Sequence, residues 1–366
     1  MRAALLAAAL LLASVGLLLL AVSLGIHAAS GLGTLAAPLP PTGEAARRAT
    51  PAASPSQADA PSTPAPLSMA RPPPLPARLV FAQDGNLWVL ERSDARPRRL
   101  TDLPDGGYLA DPALSPDRRL VAYARLTRPA DPEQPSTQDL YLVSADGTGE
   151  RRLVAADRPE ATVRAPAWAP DGQSLYFVYQ RDDASRIERV APDGSARAHV
   201  REPAGDLAVS PDGRWLAHVV RDARGLRPAL VAASLDGSTT RTLVPSGTFV
   251  DIAAPRYAPS GRTLAFGAAT APAAATPSAI GALRRWIAPV AEAHGIPWDV
   301  WQVDADGGGL RRLTDLSEDL IVPAWSPDER WIGFSAEGGV YALSLDQRRV
   351  YRLVDGLFRG GVDWLP

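Results

Sequence analysis

The chain has 366 residues, 38 Lys and Arg against 40 Asp and Glu, and no cysteine. That length holds one large repeat domain with flanking segments. Balanced charge without a Lys/Arg cluster excludes nucleic acid as a partner, and the absence of Cys excludes a disulfide framework, a Cys nucleophile and Cys-ligated zinc.

The amino end reads first as a compartment signal. Residues 1–30 form a transmembrane anchor or signal segment: Ala3 to Ile26 carry no charge and follow Arg2. About 20 apolar residues span a bilayer core, so residues 3–26 are long enough to hold the membrane as a helix. Arg2 and the terminal amine then stay inside, which makes the protein a single-pass protein of the cell membrane with everything downstream on the extracytoplasmic side. If the segment is instead cleaved, after the small residues Ala28-Ala29-Ser30, the protein is exported and soluble. No lipobox cysteine is present. Residues 31–77 turn to Pro, Ala, Ser and Thr, too little apolar surface to offset ordering entropy, and read as a disordered, extended linker.

From residue 78 to 366 one unit recurs. Its copies are Asp111–Tyr123, Ala165–Phe177, Leu207–Ala217, Ala254–Phe266 and Val322–Phe334, with a further one begun at Val362-Asp-Trp-Leu-Pro366. Each copy is strand, turn, strand: in the Pro-Asp-Gly core Pro presets φ and Gly supplies a positive φ. A third strand follows, such as Leu140–Val143, then an Asp-Gly hairpin, then a short basic strand such as Arg151–Val154. Four antiparallel strands in a repeat of roughly 40–50 residues are the blade of a β-propeller. The domain opens on a second strand, Arg78–Ala82, and the chain stops after a first strand. The expected fold is therefore all-β, a six-bladed propeller closed by pairing of the N- and C-terminal strands. Pro112, Pro166, Pro255 and Pro323 fall inside first strands, which must then be edge strands lining the channel.

The Pro-x-Trp-Ser-Pro-Asp-Gly turn, the Leu-Tyr-Phe strand and the Asp-Gly…Arg-Arg-Leu ending together resemble the TolB-like propeller repeat. The resemblance covers residues 78–366 and implies a six-bladed ring. It also implies a periplasmic scaffold or the propeller part of a serine peptidase. A Gly-x-Ser-x-Gly elbow is absent, which argues against a complete peptidase.

Tight turns mark one face of such a ring, while long second-to-third and inter-blade loops mark the other. Function tends to sit on variable loops carried by a rigid scaffold. The candidate binding face therefore comprises Tyr108, Arg128, Arg164, Phe249, Arg284, Arg285, Trp286 and Phe358. The largest insertion, residues 268–299, carries Ile280, Leu283, Trp286, Ile287 and Val290 at helical spacing. No catalytic, cofactor or metal site emerges. His27, His199, His218 and His294 are isolated, and Asp304-Ala-Asp306-Gly307 lacks the later acids of a calcium loop. The expectation is a monomeric, non-catalytic scaffold for a protein or cell-envelope partner. The alternatives are a hydrolase with carboxylates at the channel mouth, or an accessory or sensor subunit of an envelope complex.

Overall fold

The computed structural model describes residues 63–103, 107–127, 136–158, 161–181, 184–222, 227–270, 296–316, 318–356 and 360–365. The strands form antiparallel quartets. In chain order of their first strands these are Tyr108–Leu114, Leu120–Thr127, Thr137–Ser144 and Arg151–Val154; Thr162–Trp168, Leu175–Arg181, Ala184–Val190 and Ala198–Arg201; Leu207–Val209, Trp215–Arg221, Pro228–Ser234 and Thr240–Val244; Asp251–Tyr257, Thr263–Ala269, Trp298–Asp304 and Arg311–Arg312; and Val322–Trp325, Trp331–Ala336, Gly339–Ser344 and Arg349–Asp355. The first two of these quartets are joined into one sheet by a single residue pair, Gln138 with Thr162.

The remaining quartet is assembled from both ends of the domain. Val362–Leu365 pairs with Arg78–Gln83, which continues to Asn86–Leu90 and Arg98–Arg99. Buried apolar residues cluster between neighbouring quartets. One cluster joins Leu79, Phe81 and Trp364 to Trp331 and Tyr351, and another joins Leu230 and Val244 to Ile252 and Phe266. The core is thus a set of face-to-face blade interfaces.

The tight turns behave as their residues dictate. Gly172 and Gly213 close Pro-Asp-Gly turns with φ of 70° and 68°, and Gly261 closes the Pro259-Ser260-Gly261 turn with φ of 71°. Arg118 and Glu329 occupy the same turn position with φ of 62° and 56°, where a Cβ is unfavourable. Arg118→Gly is therefore expected to stabilise the protein by about 1 kcal/mol, visible as a thermal midpoint raised by about 2 °C. Glu329→Gly should gain less, because the Glu329 carboxylate accepts hydrogen bonds from the amide and hydroxyl of Ser260 in the neighbouring blade.

First-strand prolines sit on the free edge, as their missing N–H requires. Three of them follow a residue with positive φ: Asp111, Ala165 and Ala254, at 54°, 51° and 48°. At each of these points the ladder to the second strand slips, which is a β-bulge bending the inner strand.

Two expected boundaries need correction. The linker was expected to run to residue 77, but the chain is ordered against the domain from Thr63. Leu67–Ser68 pairs in parallel with Val350 and Tyr351 of the outermost strand Arg349–Asp355. Ala65, 4 % exposed, lies in the cluster of Ile321, Phe334 and Val350. Its amide donates to the Leu313 carbonyl at 2.8 Å, and the Val350 amide to that of Pro66 at 3.0 Å. Alanine and proline are small enough to lie in the groove between two blades, so composition alone hid a docked strap. The insertion also begins later and ends earlier than 268–299: Ala268, Ala269, Trp298 and Asp299 are paired strand residues. The expected helix near residues 280–290, the anchor at 3–26 and the rest of the linker lie outside the described residues.

Candidate functional site: the axial channel and its tight-turn mouth

Successive first strands neighbour one another around a central channel. They are fastened together by two devices. In one, a carboxylate on or just before a first strand accepts the backbone amide of the next: Leu114 N to Asp363 at 2.8 Å, Ala165 N to Asp111 at 3.1 Å, and Ala254 N to Asp206 at 2.9 Å. In the other, an indole N–H donates to a neighbouring strand's carbonyl. Trp168 donates to Ala113 at 3.0 Å, Trp325 to Arg256 at 3.1 Å and Trp364 to Ala324 at 3.0 Å.

Arg164 lies among these carboxylates and forms an ion pair with Asp206. Burial works to raise the Asp206 carboxyl, but the Arg164 charge and the Ala254 amide outweigh it and hold the group below the usual carboxylate range. Asp111 is pushed up, first by burial and then by the negative charge of Asp206, only partly opposed by Arg256 and Arg164. Asp363 is likewise raised by burial against the two amides it accepts. These acids are structural acceptors, each committed to backbone of its own or the next blade.

Towards the tight turns the channel opens into a cavity of about 440 Å³. Its rim is the turn prolines Pro116, Pro170, Pro211 and Pro259. Its walls are the last residues of the first strands, Leu114, Trp168, Val209, Tyr257 and Trp325, all half-buried. One residue further in stand Ala113, Ala167, Ala208 and Ala324, with Arg256 and Asp363 in place of alanine. The cavity is therefore apolar-walled with a small charged floor. Tyr257 is raised to about 12, mainly by burial.

The sequence-predicted contacts distribute differently. Tyr108, 40 % exposed, begins its strand at the long-loop end. Arg164 is in the channel as a latch between blades. Phe249 is a correction: it is 5 % exposed, packed edge-on against Phe266 and Trp301 at 5.8 and 4.8 Å between centroids. An aromatic ring on a short inter-blade loop gains more by burial between blades than by facing water. Arg128, Arg284, Arg285, Trp286 and Phe358 lie outside the described residues. Glu318 is taken up by the Tyr341 hydroxyl at 2.7 Å and the Gly338 amide at 3.1 Å. His218 is 3 % exposed, and burial lowers it to about 4. Asp306 caps its own hairpin through the Gly308 amide.

Sequence reading missed the tight-turn mouth. The signal lay in the repeat itself: the residue three places before the turn proline is alanine at Ala113, Ala167, Ala208 and Ala324, but arginine at 256 and aspartate at 363.

No family model matches the chain. A curated relative, dipeptidyl-peptidase 5 of Porphyromonas endodontalis, is 25% identical over 116 residues, 31% of this chain; the chain spans only 16% of that relative's length. Among solved structures, TolB from Acinetobacter baumannii superimposes with a TM-score of 0.59 at 16% identity, covering 79% of this chain and 67% of that one. A chain of a nidogen–laminin complex does so with a TM-score of 0.57 at 12% identity, covering 78% and 97%. The fold is that of the TolB-like β-propellers.

Proposed function

We propose that this chain is a six-bladed, non-catalytic propeller, tethered to the outer side of a membrane by residues 3–26, that binds a protein partner at the tight-turn mouth of its channel. Dividing the eight-stranded sheet into its two quartets supports the blade count. The observation that carries the binding reading is the cavity itself. Its walls are proline and aromatic, and the channel acids are each committed to backbone amides rather than free to move protons. A hydrolase of the paired-carboxylate kind needs two acids flanking the scissile bond, and among the described residues Asp363 is the one carboxylate lining this cavity. The TolB and nidogen–laminin likenesses support a protein-binding role for a propeller of this shape. Here the chain acts alone: closure pairs the edge of Arg78–Gln83, and the outer blade edges are short.

The test is capture from detergent-solubilised native membranes with three forms: full-length protein, Val209→Glu at the mouth, and a form lacking residues 271–295. A partner held by the full chain and the shortened form but lost with Val209→Glu is expected. Loss only in the shortened form would move the contact to the long-loop face. Equal capture by all three would overturn the mouth as the binding surface.

A further inference from the structure

The charged floor of the cavity is asymmetric. Arg256 and Asp363 are the charged residues that line it. Asp363 is engaged on both oxygens, accepting the Leu114 and Trp364 amides, each at 2.8 Å. Arg256 is not. Its guanidinium makes one hydrogen bond, from Nη1 to its own Pro255 carbonyl at 3.0 Å; its charge acts on Asp111, Asp206 and Asp363, but no carboxylate of the described residues forms a direct ion pair with it. By contrast, Arg164, Arg125, Arg152, Arg312 and Arg330 all hold carboxylates. A guanidinium presents five donors in a planar fork suited to a carboxylate. Arg256 therefore offers a partly dehydrated anion-binding fork under an apolar collar.

The shape narrows the occupant. Arg256 lies further in along its strand than Tyr257 and Pro259, so a folded surface resting on the proline rim does not reach it, while an extended chain end does. About 440 Å³ is within the range of small-ligand sites. The collar of Leu114, Trp168, Val209, Tyr257 and Trp325 matches a large apolar or aromatic side chain.

We infer that the cavity captures the free carboxyl terminus of a partner polypeptide ending in an aromatic or large apolar residue, with the terminal carboxylate on Arg256 and the last side chain against the collar. The inference rests on the binding reading above and specifies which part of the partner enters.

The experiment is titration calorimetry of the whole protein with acetyl-Gly-Gly-Trp as the free acid, the same peptide as its carboxamide, and N-acetyltryptophan. The acid is expected to bind, the amide to bind about tenfold weaker or less, through loss of a charge-assisted bond. Arg256→Met should bring the acid to the affinity of the amide, and Arg256→Lys should recover part of the difference. The acid–amide comparison needs no variant, so a poorly folding Arg256→Met does not blunt it. Equal binding of acid and amide overturns the carboxylate assignment while leaving the mouth as a binding surface. N-acetyltryptophan binding as tightly as the tripeptide overturns the chain end in favour of a small acid. Absence of binding by all probes overturns the inference, and the capture experiment then decides the mouth independently.

Discussion

Arg164→Met is expected to remove about 2–3 kcal/mol of stability, less than a fully buried pair would lose, because it leaves the half-buried Asp206 without its ion-pair partner. The pH dependence identifies the cause. In the native protein Asp206 is held below its ordinary value of 3.8, so its contribution is complete above that pH and is lost as pH falls through the lower folded value. In the variant, burial acts on Asp206 opposed only by the Ala254 amide and the Arg256 charge, without the larger contribution of Arg164. Burial is then expected to push its folded value up past the ordinary one, so the variant should be weakest near neutrality and recover as acid neutralises the group. The stability gap between the two proteins, measured by urea unfolding, should narrow as pH drops from about 7 to about 4. The double variant Arg164→Met, Asp206→Asn should lose less than the sum of the single losses, since the two side chains share one interaction. A gap that does not change with pH would mean that Arg164 acts by packing alone.

The second large effect concerns closure. Trp364→Ala should cost about 3–5 kcal/mol from lost packing, together with the orphaned Ala324 carbonyl. Trp364 is 3 % exposed, packs with Leu79, Phe81 and Trp331, and tethers Val362–Leu365 to Val322–Trp325. Phe177→Ala removes a fully buried ring of comparable size from within one blade pair and serves as the comparison. Both should lower global stability. Only Trp364→Ala is expected to speed hydrogen exchange of Arg78–Gln83 and Trp331–Ala336 below the global unfolding limit, because it loosens the blade built from two distant strands. Identical exchange patterns in the two variants would show that closure is no weaker than any other blade interface. Removing residues 362–366 outright exposes the edge of Arg78–Gln83 and should yield aggregation rather than a folded ring.

The strand, turn and closure pattern was legible because each step is local chemistry. Pro-Asp-Gly fixes a turn, an Asp-Gly pair fixes a hairpin, and the repeat fixes how often they return. Even the edge position of Pro112 and Pro166 follows from a missing N–H. What was not legible is what depends on which residues meet across the ring. Nothing near Asp206 in sequence announces Arg164, 42 residues away, as its partner. Phe249 read as a loop aromatic, and its burial depends on Phe266 and Trp301 arriving from the next blade. The strap at Ala65 was invisible because Pro, Ala and Ser describe a flexible linker and a groove-filling strand equally well. Arg256 could have been found by stacking the repeats and asking which channel position departs from alanine.

The strap also decides where mechanical load enters. A tug on the chain ahead of Thr63 is borne first by Ala65 in its groove and by the short parallel pairing to Val350 and Tyr351. Behind that pairing stand Arg349–Asp355, Gly339–Ser344 and Trp331–Ala336 before the channel strand Val322–Trp325 is reached. At about 4.8 Å per strand, roughly 19 Å of sheet separates the point of traction from the channel wall. The strap can peel at the rim while the ring stays shut, so a pull on the preceding chain need not change the shape of the channel cavity.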